Sequence, residues 1–135
     1  MTVEELRQKL SRLEKYIRII ENLSADCDRN FNDDLYRGAL LYYLYLMADS
    51  CVAIAEMVIK YKSLRAPQSY AEAFDILGEN GILEPEFAYS FAKIAGFRNF
   101  LAHDYETINK DVICNRILER LIDVKKFMSK IKGLF

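Results

Sequence analysis

The chain has 135 residues, 19 basic and 20 acidic, and 52% of it is hydrophobic. A length of this order fits a single domain, residues 1–135, that removes about two-thirds of its unfolded surface from water and needs no staples. The net charge of −1 excludes the global positive field of a non-specific nucleic-acid binder, so any phosphate site must be local or built by assembly.

The three cysteines, Cys27, Cys51 and Cys114, are odd in number, far apart and without C-x-x-C spacing. They predict reduced thiols of a cytoplasmic protein rather than a disulfide framework or a zinc site. The opening MTVEELRQKL lacks the apolar region of a secretory signal. The longest apolar run, Ala39 to Ala48, is ten residues against the roughly 20 of a membrane span, so no membrane association is expected.

The predicted elements are helices throughout. Val3, Leu6, Leu10, Leu13, Ile17 and Ile20 recur at spacings of three and four, one stripe of a helix, and Thr2 with Glu5 offers a capping box at its start. Asp26 to Asp34 breaks the pattern as a polar turn. From Asp33 to Lys62 the chain is apolar nearly all round, which predicts a long central helix packed on several sides. Pro67 interrupts it. Ser69 to Glu72 offers a second capping box for a short helix that runs out at Gly78 or at Asn80-Gly81. Pro85 suits the first turn of the next helix, which presents Phe87, Phe91, Ile94, Phe97 and Leu101 to the core. The last helix, from Thr107 or Asn109, aligns Ile113, Ile117, Leu121, Val124, Met128 and Ile131. No strand-period run, phosphate loop or repeat occurs. The fold class is therefore all-α: an up-and-down bundle of four main helices plus one short one.

The stretch RNFLAHDY, Arg98 to Tyr105, closes the fourth main helix and contains the one histidine of the chain. Residues five apart on a helix lie about 140° from each other. Arg98 and His103 are thus expected to meet only where the helix ends or distorts, with the arginine folding toward the histidine. Histidine exchanges protons near neutrality, and arginine grips phosphate bidentately with a permanent charge. Taken alone, R-x4-H reads as a helix end and an exposed cation.

The whole segment from Leu64 to Ile131, together with the preceding YYLYLMADSCVAIAEMVI, resembles the HepT-like branch of the HEPN proteins, with P-x-S-Y, GFRN and R-x4-H-x-Y in the family's order. That resemblance implies an HEPN-type bundle and a metal-independent ribonuclease, the toxin of a toxin-antitoxin pair, working as a homodimer on RNA without a cofactor. It implies Arg98 and His103 as catalytic residues and Asn99 as the polar residue that supports the arginine. Tyr105 is implied as the acceptor of AMP from the partner antitoxin, a minimal nucleotidyltransferase of the MntA kind. Asp104 fills the variable position, where its carboxylate can tune the imidazole. A single histidine cannot be base and acid in one half-reaction, so two motifs meeting across a two-fold axis would make the dimer part of the chemistry.

Other features carry bland readings. The Asp26 to Asn32 stretch begins like a calcium loop, but Phe31 and Arg37 stand where glycine and glutamate are needed. Tyr42, Tyr43 and Tyr45 can stack bases but read as core or dimer interface. Lys9, Arg12, Lys15 and Arg18 read as the wet face of the first helix. The alternative function is a non-catalytic HEPN module that binds nucleotide or a nucleotidyltransferase through the same surface.

Overall fold

The computed structural model describes residues 2–135, with Tyr105 described through its backbone alone. Helix α1, Val3–Ser24, starts at the anticipated box: Thr2 Oγ1 accepts from the Glu5 N–H at 3.1 Å and the Glu5 carboxylate accepts from the Thr2 N–H at 3.4 Å. Its stripe of Leu6, Leu10, Leu13, Ile17 and Ile20 is buried against α3, Asp34–Tyr61. The polar turn between them contains one helical turn, α2, Cys27–Asn30. Its Cys27 and the adjoining Phe31 are both buried.

Helix α3 is the axis of the bundle and touches α1, α4 and α6. Asp33 caps it by accepting from the Tyr36 N–H at 2.9 Å. By length and hydropathy α3 could cross a membrane, yet 56% of its apolar window is buried within the bundle, so its apolarity is that of a core helix. It ends in a left-handed residue, Ser63 at φ 56°, with Leu64 N–H to Ile59 O at 2.9 Å and Ser63 N–H to Lys60 O at 3.1 Å. These two bonds satisfy the last carbonyls of the helix.

Helix α4, Tyr70–Glu79, shows half of its predicted box. Ser69 Oγ accepts from the Glu72 N–H at 3.1 Å. The Glu72 carboxylate instead takes the Gln68 N–H at 2.8 Å and Arg65 at 3.1 Å. The helix continues through Gly78, where a Cβ would stand 2.8 Å from that of Ala88, so glycine lets α4 and α5, Pro85–Phe91, approach. It stops at Gly81, φ 72°, whose N–H reaches Gly78 O at 3.3 Å while Ile82 N–H reaches Leu77 O at 3.0 Å.

Two predicted helices are subdivided. The one opened by Pro85 breaks at Ala92, and α6 runs from Lys93 to His103. The last one begins as a π turn over Val112–Ile117 and a 3-10 turn over Leu118–Arg120 before α7, Leu121–Lys132. Of its stripe, Ile113, Leu121, Val124, Met128 and Ile131 are buried. So is Phe127, which stacks on Phe91 at 5.0 Å and meets Phe74 edge-on at 5.8 Å. Lys125 Nζ to Glu21 at 2.7 Å ties α7 back to α1.

The cysteine expectation is corrected. Cys27 and Cys114 form a disulfide, and Cys51 alone is free and buried. A sequence separation of 87 hides a contact that arises only when the α2 turn meets the π turn. Burial pushes the Cys51 thiol well above its ordinary range, which makes it an inert core residue.

Candidate functional site

Arg98 leaves α6 toward α3 and meets two residues one helical turn apart there. Tyr45 and Asp49 are i and i+4 on α3 and so share the face that α6 packs on. Arg98 Nε donates to Asp49 Oδ1 at 3.0 Å, Nη2 to the Tyr45 hydroxyl at 3.2 Å and Nη1 to Asn99 Oδ1 at 3.1 Å. The guanidinium carbon lies 5.3 Å from the Tyr45 ring centre and 5.1 Å from that of Tyr70, within cation–π range. Tyr70 is there because Ser69 caps α4 and makes Tyr70 its first residue. This gives the Pro67-Gln68-Ser69-Tyr70 stretch a structural purpose.

The Arg98 side chain is 18% exposed and that of Asp49 38%. Burial is the largest influence on Arg98 and by itself favours loss of the proton. The hydrogen bond to Asp49 and the Coulombic pull of Tyr45, Asp49 and Tyr70 together outweigh it and raise the pKa above the ordinary arginine value. The cation is permanent. A guanidinium has five N–H donors, and three are used. Nε and Nη2 face α3, and among the described residues one donor on each Nη is left without a partner, available to a phosphate.

His103 occupies the last turn of α6 and is exposed. Asp104 ends the helix through its backbone, its N–H reaching Phe100 O at 2.8 Å, and its side chain is exposed. The structure joins Arg98 to Asn99 but, among the described residues, no hydrogen bond or ion pair links Arg98 to His103. Helix α6 continues to its end at His103, so the angular separation of the pair persists, and the Asp49 carboxylate holds the arginine on α3. The expected folding of Arg98 toward His103 is therefore not what this chain does. The backbone of Tyr105 opens a 3-10 turn, Tyr105–Thr107; its side chain, the expected AMP acceptor, lies outside the described residues. Among those residues no three His, Cys, Asp or Glu side chains gather as a metal centre requires.

Asp49, Tyr45 and Tyr70 are site residues that the motif did not announce. The available signal was an acid ending an apolar helical run, four residues after a tyrosine. Beside them, Gly38, Leu41, Tyr42, Tyr45, Leu101 and Ala102 line a cavity of about 470 Å³, and Tyr42 is 58% exposed at its edge.

Comparison with known proteins matches the family described as Ribonuclease HepT-like over residues 13–131. The mRNA nuclease HepT of Shewanella oneidensis is 24% identical over 125 residues, covering 93% of this chain and 94% of that protein. The tRNA nuclease HepT of Aphanizomenon flos-aquae is 29% identical over 114 residues, covering 82% and 74%. A solved structure of the tri-AMPylated Shewanella oneidensis HEPN toxin in complex with an MNT antitoxin superposes with a TM-score of 0.85 at 24% identity, covering 98% of this chain and 99% of that one. The helical fold and a family match spanning residues 13–131 agree: the chain belongs to the HepT-like ribonuclease family.

Proposed function

We propose that the protein is a cytoplasmic, metal-independent endoribonuclease, the toxin of a toxin-antitoxin pair, acting as a homodimer. In this reading the 2'-hydroxyl of RNA attacks the adjacent phosphorus, His103 moves the protons, and the Arg98 fork stabilises the charged phosphorane. Two copies of the motif facing one cleft supply a base and an acid, and two arginines make that cleft basic on a near-neutral protein. Asn99 steadies Arg98, and Asp104 lies next to the imidazole in sequence. The observation that carries the reading is Arg98, anchored on α3 with one donor on each Nη unpartnered among the described residues, on the same helix that ends in an exposed His103. Support for self-association comes from the apolar α3 face beside the site, where Tyr42 and Leu35 are exposed at 58% and 87%.

Regulation in this reading is AMP transfer onto Tyr105 by a minimal nucleotidyltransferase antitoxin of the MntA kind. The adduct sets an anion where substrate phosphate must bind and so inhibits by occlusion and repulsion. The deciding experiment incubates purified protein with total RNA in EDTA. Cleavage leaving 2',3'-cyclic phosphate and 5'-hydroxyl ends, abolished in His103→Ala and in Arg98→Ala, is expected. A metal requirement, or full activity in His103→Ala, would remove the mechanism. Nucleotide or antitoxin binding without any RNA cleavage would leave the binding-module alternative.

A further inference from the structure

We propose that Asp49 is a positioning residue for RNA cleavage, holding Arg98 by its Nε so that the free fork of the guanidinium is presented to the scissile phosphate; this rests on the ribonuclease reading above. Asp49 lies on the partly exposed face of α3 that carries Tyr45, between buried Ala48 and Ser50. A half-exposed ion pair adds little to stability, so stability is not a sufficient reason for the carboxylate.

Orientation gives one. A free arginine side chain samples many rotamers, whereas a phosphate ligand acts in catalysis only when it already stands where the charge develops. Asp49 Oδ1 takes Nε at 3.0 Å and Tyr45 takes Nη2 at 3.2 Å, so one edge of the guanidinium is fixed to a single helix. The rings of Tyr45 and Tyr70, 5.3 and 5.1 Å from the guanidinium carbon, limit its tilt. Asn99 takes one donor of Nη1 at 3.1 Å. These five contacts, from four residues, leave one donor on each Nη without a partner among the described residues. The anchoring groups come from α3, α4 and α6, so the direction of the fork is set by the packing of three helices rather than by one side chain.

The test compares wild type, Asp49→Ala and Asp49→Asn in RNA cleavage, with the Arg98 Nε–H resonance followed by nuclear magnetic resonance. Asp49→Ala should lower kcat about 10- to 100-fold, as misplacement of a catalytic group does, with KM changed by no more than about threefold and helical content unaltered. Asp49→Asn keeps an oxygen to accept from Nε and should recover most of the loss. The Nε–H signal should be protected from exchange in wild type and Asp49→Asn and lost in Asp49→Ala. Wild-type kcat in Asp49→Ala, or a protected Nε–H without Asp49, would each overturn the proposal. So would an Asp49→Asn protein as impaired as Asp49→Ala, which would assign the effect to charge rather than orientation. If wild type cuts no RNA, the ribonuclease reading falls instead, and the Nε–H signal alone decides whether Asp49 holds Arg98.

Discussion

Replacing Phe127 by alanine tests the core where it was least expected. Its ring is fully buried, lies nearly parallel to Phe91 at 26° and 5.0 Å, and meets Phe74 at 63° and 5.8 Å. Truncating a core phenylalanine costs about 3–5 kcal/mol, and each lost aromatic pair is worth about 0.5–1.5 kcal/mol within such a total, so about 4 kcal/mol is expected. For 135 residues the unfolding entropy is about 0.28 kcal/mol/K, which converts that loss into about 14 °C of melting temperature. Thermal melts followed by far-UV circular dichroism read it directly. Phe127→Leu, which refills most of the volume, should lose less than half as much. A Phe127→Ala protein melting within about 3 °C of wild type, a loss below about 1 kcal/mol, would refute the three-ring packing and with it the placement of α7 against α4 and α5.

Reduction of the Cys27–Cys114 bond releases a link between residues 87 apart and should cost about 4.6 kcal/mol by loop entropy; a melt insensitive to dithiothreitol, or two alkylatable thiols at these positions without reductant, counts against it. Ser63→Gly should raise stability by about 1 kcal/mol by relieving the left-handed backbone, measured by urea unfolding, and a destabilised variant contradicts that conformation. Tyr105→Phe should keep ribonuclease activity yet gain no adenylate mass with the cognate nucleotidyltransferase and ATP; an adduct on Tyr70 or Tyr89 instead removes Tyr105 from the regulatory role.

Where a helix obeyed one period, its residues announced it. The stripe of α1, the box at Thr2 and Glu5, the cap at Ser69 and the proline at the start of α5 are local devices and were legible as such. The break at Ala92 was not, because alanine is the best helix former and its backbone stays in the helical region there, φ −56° and ψ −22°. The π turn at Val112–Ile117 likewise escaped a reading that assumed one pitch, and with it went Phe127, which falls beside the predicted stripe rather than on it. At the site, Arg98, Asn99 and His103 were legible as a motif, but their relation was not. The partner that orients Arg98 is 49 residues away on another helix, and sequence spacing carries no information about such a meeting. The same blindness to distance explains why the sequence shows Cys27 and Cys114 only as separate thiols.

That cross-link also determines what a protease would do to this protein. Residues 27 to 114 form a covalent ring, and Tyr45, Asp49, Tyr70, Arg98 and His103 all lie inside it. Helix α1 and α7 are its two tails. The irregular connection at 64–67 is the kind of segment in which proteases cut, and a single cut there opens the ring without parting it. Tyr45 and Asp49 would stay on one arm, Tyr70 and Arg98 on the other, with the sulfur bridge and the packed helices holding the arms together. The nicked protein would travel as one chain on a denaturing gel until reductant separated it into two.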